Sequence, residues 1–201
     1  MLSVVIPLAA SILYWKKLEG QLKLIFWIVL ASALSDAISY ILYLFSTANL
    51  PVINLFFIVQ IILFYLILKT RRTLALQIFF YATVAFAIVD FVFLQTPTTF
   101  NSYASYAGAL LILVTALVYL YRLLEDLPDE KIQRLPLFWV AFGAMTYYGG
   151  TLFLFLFSNY VLAQSLKNHQ TIWILHNVVN ITKNLFLFIA IWLNHKRQTS
   201  S

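Results

Sequence analysis

The chain has 201 residues, 63% of them hydrophobic and 10% charged, with a formal net charge of +6 and a mean hydropathy of +0.90. Soluble domains are about half apolar and about a quarter charged, so this chain lacks the polar surface to cover a core in water. That excludes a soluble enzyme or a nucleic-acid-binding domain. The absence of cysteine removes any disulfide framework, thiolate metal site or thiol nucleophile.

A helix needs roughly 20 apolar residues to cross the hydrocarbon core of a bilayer. Cutting the chain at its polar clusters predicts seven apolar spans, about 1–15, 24–45, 50–68, 74–94, 103–121, 136–159 and 171–193. The first is short and contains Pro7. A cleaved signal peptide has its positive charge before the apolar region, whereas here Lys16 and Lys17 follow it. The stretch therefore reads as a retained first helix that starts outside. Span two places Ser32, Ser35, Asp36, Ser39, Tyr40 and Tyr43 on one face, and span three contributes the amides of Asn54 and Gln60. Span four carries Asp90, five residues before Gln95. Span six holds Gly143, Tyr147 and Gly150, and span seven holds His176, Asn177, Asn180, Lys183 and Asn184 at helical spacing.

The links are too short to fold alone, so function resides in the helices or at their ends. Of 13 Lys and Arg, 11 lie in the odd-numbered links and the tail; Lys167 lies on the other side and Lys183 inside a span. The flank rule then places the odd links and the carboxyl terminus in the cytoplasm. The expected architecture is an all-α, N-out, seven-helix transmembrane bundle forming a single domain over residues 1–201. Trp15, Trp27, Trp139, Trp173 and Trp192 fall near span ends, as interfacial anchors do. The basic excess thus reports topology and anionic lipid, and gives no reason to invoke nucleic acid.

Ionisable side chains at bilayer depth are costly and face the bundle interior. Lys183 lies 12 residues into span seven and Asp36 12 residues into span two, each roughly 18 Å deep at 1.5 Å per residue. An Asp36–Lys183 ion pair is the economical expectation. Two readings of it stay open: a pair that only fixes helix two against helix seven, or a binding or proton-linked site. The polar stripe of span seven, with Asn54 and Tyr147, points to a polar cavity bounded by helices two, three, six and seven. Serine and glycine stripes also have a plain packing role in membranes.

Other chemistry is missing from the sequence. One histidine in a span is too few for an intramembrane zinc site, and there is no serine-protease or phosphate-binding glycine loop. The function is therefore expected to be non-enzymatic and to need no cofactor. A lysine midway along helix seven invites comparison with retinal proteins, in which Lys183 would form the Schiff base. Microbial retinal proteins place a carboxylate one turn before that lysine; this chain has Val179 there. Seven spans in about two hundred residues also match the sugar-transporting PQ-loop proteins, but no Pro-Gln pair and no internal repeat is present.

The run Leu137 to Gly143, the run Tyr147 to Asn159, the ladder Trp173, Asn177, Asn180 and Asn184, and the string Asn54 to Phe57 resemble a group of small seven-helix proteins common in Bacteroidota. Some of these are encoded near sensor histidine kinases. The resemblance covers most of the chain and implies a bacterial inner membrane and a signalling context, with no activity attached. The expected function is receptor-like or accessory: binding a small amphipathic ligand, or sensing the membrane, through the polar cavity. A cytoplasmic signalling partner would dock at links 69–73 and 122–135, and a homo-oligomer is a further expected partner state. The alternatives are a small transporter or proton-linked carrier using Asp36, His176 and Lys183, and a structural subunit of a membrane complex.

Overall fold

A computed structural model describes residues 2–70, 74–95, 100–126, 131–162 and 166–200, with side chains described throughout except at 2, 158–159, 161–162, 166–173 and 200. The link residues Arg71, Arg72, Asp129 and Glu130 therefore lie outside the described residues, as do the side chains of Lys167 and Trp173. Among the described residues seven α-helices follow in chain order: α1 (Val5–Leu13), α2 (Lys23–Leu44), α3 (Leu50–Leu68), α4 (Leu74–Val89), α5 (Ser102–Glu125), α6 (Pro136–Leu162) and α7 (Leu166–Ser200). No strand occurs among the described residues. In hydrocarbon every backbone polar group must be satisfied within its own segment, and only helices and closed barrels achieve this.

Six of these helices are long and apolar enough to cross a membrane. The expected boundaries of α3 and of α4 with its extension are met to the residue. Spans five, six and seven run longer than expected; in five and seven the helix continues through polar residues once the apolar stretch has set it, and in six it takes in Tyr160 to Leu162. The first span departs from expectation. Its α-helix has nine residues, flanked by 3-10 turns at Leu2–Val4 and Trp15–Lys17, and nine residues rise only about 14 Å.

α1 runs parallel to the C-terminal half of α7. Asn184 Nδ2 donates to Ser3 Oγ at 2.9 Å, the Tyr14 ring stacks on His195 at 4.0 Å, and Asn194 Nδ2 donates to the Lys17 carbonyl at 2.8 Å. α1 thus starts level with Lys183 and lies between α2 and α7, touching both. Around the rest of the bundle α2 packs on α3, α3 on α5, α5 on α6 and α6 on α7, with α4 outside against α5 and α3. The closest approaches use glycine. A Cβ on Gly150 would sit 2.9 Å from Val179 Cγ1, one on Gly143 would sit 3.0 Å from Phe186 Cβ, and one on Gly108 would strike the Ile61 side chain.

Two local features shape the helix ends. α2 closes with Ser46 at φ 52°, Ser46 N–H on the Tyr43 carbonyl and Thr47 N–H on the Leu42 carbonyl, a Schellman stop that usually uses glycine. α4 continues into a π-helical turn, Asp90–Leu94, closed by Gln95 N–H on the Asp90 carbonyl at 2.9 Å.

Candidate functional site

Lys183 is 2% exposed although its side chain ends in an amine. Its Nζ lies 4.3 Å from the centre of the Tyr147 ring, a cation–π contact that gains strength when water is excluded. The glycine spacing explains the placement. Gly143 and Gly150 bracket Tyr147 on α6 and draw that helix onto α7, so the Tyr147 ring fills the space beneath the lysine. The same ring meets His176 nearly edge-on, with centroids 5.7 Å apart. His176 also faces Phe155, at 6.4 Å.

Asp36 enters this layer from α2. Ser32 and Ser35 share its inward face and are buried, while Asp36 itself is half-buried. It interacts electrostatically with Lys183 and with Tyr147. Asn184, next to Lys183, is buried and held by Ser3. Asp36, Tyr147, His176, Lys183 and Asn184 therefore gather where α2, α6, α7 and the turn before α1 meet.

The remaining expected site residues are elsewhere. Asn177 is exposed and Asn180 half-buried, so the stripe of helix seven divides between bundle interior and outer face. Asn54 joins a different group at the corner of α3, α4 and α5. Its Nδ2 donates to Asn101 Oδ1 at 3.0 Å, and its Oδ1 accepts the Asn101 N–H at 3.1 Å. Asp90 Oδ2 accepts the Ala104 N–H at 3.2 Å, while Gln95 Nε2 donates to Ser102 Oγ at 3.1 Å.

Sequence reasoning missed three participants. Ser3 and Asn101 sit at segment ends, where a polar residue reads as ordinary link. Tyr148 is fully buried, edge-on to both Phe57 and Phe64 of α3. Those two residues bracket Gln60 on the same face of α3. The Tyr148 hydroxyl and both Gln60 amide atoms have no hydrogen-bond partner among the described residues. Buried polar atoms of this kind require ordered water or a ligand group. The Tyr148 ring lies 5.0 Å from that of Tyr147, on which Lys183 rests.

A separate cleft of about 890 Å³ opens at the basic end of the bundle, lined by Thr70, Tyr119, Tyr121, Arg122, Glu125 and Asp126 among others. It overlaps the described parts of links 69–73 and 122–135, and Lys183 is not among its lining residues. Among the described residues no three His, Asp or Glu side chains gather as a metal site. Comparison with known proteins yields no match: no family model, curated protein or solved structure is significantly similar to the chain.

Proposed function

We propose that the chain is a polytopic membrane sensor of receptor-like or accessory type, in which the Lys183 layer binds a small amphipathic ligand or reads the state of the surrounding lipid. The observation that carries this reading is the burial of Lys183 on the Tyr147 face. A lysine near a helix end reaches water by extending its side chain, but one held inside an apolar bundle is costly and in membranes commonly marks a binding or transfer site. Lys183 is buried, so a ligand would enter from the bilayer beside half-buried Asp36, displacing α1 or α2. The displaced helix would alter the basic-end cleft, where a separate cytoplasmic partner would dock.

In this reading α1 is the seventh membrane-embedded helix, directed inward from mid-depth, in a bacterial inner membrane with the basic end in the cytoplasm. The lack of native cysteine makes orientation directly testable. Single cysteines at Thr47 and Thr199 should react from opposite sides of the membrane, Thr47→Cys from outside and Thr199→Cys from inside. The reverse pattern would contradict the orientation. For ligand binding, native mass spectrometry of protein released from its own membranes should show an added mass that Lys183→Met loses while remaining folded. Bare spectra for both proteins, or an adduct indifferent to Lys183→Met, would reject the reading.

A further inference from the structure

The corner of α3, α4 and α5 contains a carboxyl group that the Lys183 layer does not use. Asp90 is 0% exposed. The π-helical turn that begins at Asp90 turns its side chain toward the first turn of α5. There Oδ2 accepts the Ala104 N–H, whereas Oδ1 is buried with no partner among the described residues. A single N–H bond on Oδ2 suits the carbonyl oxygen of a neutral acid, leaving one O–H on Oδ1 to be met by water, whereas an ionised carboxylate is an acceptor on both oxygens and leaves a full charge unmet.

Among the described residues the surroundings supply no counter-charge; the side chains of Lys167 and His169, at the start of α7, lie outside the described residues. α4 packs on α5 and α3. α3 has no charged residue between Leu50 and Leu68, and the nearest cation along α5 is Arg122, 18 residues from Ala104 or about 27 Å. The titratable groups near this end of α5 are Tyr103 and Tyr106. The groups hydrogen-bonded around the corner are Asn54, Gln95, Asn101 and Ser102, all neutral. The positive end of the α5 dipole offers about half a charge, and a buried anion without a full counter-charge neutralises instead.

A metal cation fits this corner poorly. Asn54 Oδ1 accepts a backbone N–H, which fixes its Nδ2 as the donor to Asn101 and so fixes the atom facing Asn54 as Asn101 Oδ1. The unpartnered atom of Asn101 is therefore Nδ2, a donor. A hard cation would find one free carboxylate oxygen where it needs about six oxygen ligands.

We propose that Asp90 is a proton-binding site, carrying a neutral carboxyl at neutral pH and exchanging its proton with water at this end of the bundle. A hydronium ion gives its proton to Oδ1 and leaves as water; release reverses the step. The inference is independent of ligand binding at Lys183. The test is solid-state NMR of the protein in lipid nanodiscs with carboxyl-13C aspartate, which labels Asp36, Asp90, Asp126 and Asp129. At neutral pH one signal should stand at the neutral-acid position, survive Asp36→Asn and vanish in Asp90→Asn. The amide introduced by Asp90→Asn keeps an acceptor for the Ala104 N–H. Should Asp90→Asn fail to fold, the wild type and Asp36→Asn still decide. All four signals at the ionised position, or a neutral signal that Asp36→Asn removes, would overturn the proposal.

Discussion

At the corner of α3, α4 and α5, Asn54 and Asn101 exchange two hydrogen bonds, and neighbouring polar groups bond to one another across helix ends. Between α2, α6 and α7, by contrast, Lys183 meets an aromatic face, and Asp36 acts on it through space. Amides pair donor to acceptor without net charge, so the corner lowers the cost of burying its own polar groups. A lysine on a tyrosine ring has its charge only partly compensated. The first arrangement suits holding helices together, and the second keeps an amine in the interior at some cost in stability, which fits the binding role proposed for it.

Breaking the corner should have the larger effect on stability. Asn54→Leu leaves the Asn101 N–H and Oδ1 buried without their partner, and should cost about 2 kcal/mol of unfolding free energy, while ligand retention in the surviving folded protein is unchanged. Equilibrium unfolding in mixed micelles measures the first and native mass spectrometry the second. A stable Asn54→Leu that loses its ligand would move the binding role to the corner and collapse the distinction.

The division between legible and illegible features follows from what the sequence encodes locally. Apolar runs bounded by Lys, Arg, Ser and Asn mark the α2 to α7 helices, because in lipid, length and hydropathy alone decide helix. The first span misleads on the same ground: Met1–Trp15 is apolar enough, but depth is set by what it packs on, and Ser3 meets Asn184 halfway along α7. Lys183, Asp36 and Tyr147 were legible as exceptions to the apolar average and through the glycines that bracket the tyrosine. The separate fate of Asn54 was not, since its partner Asn101 is 47 residues away and lies at a helix start that reads as link. The exposure of Asn177 beside a buried Lys183 depends on which arc of α7 touches α6, a tertiary property that spacing constrains without fixing.

Under the proposed function Lys183 is retained for what it binds and not for stability. Reversible unfolding of Lys183→Met in lipid or mixed micelles tests it most directly. Methionine fills a similar volume without a charge, and half-buried Asp36 can take up a proton once its neighbour is gone. The unfolding free energy should lie within about 1 kcal/mol of the wild type, or above it. A loss of about 3–5 kcal/mol, the signature of a buried charge stripped of its partner, would contradict it and make the lysine a structural tie between α2 and α7.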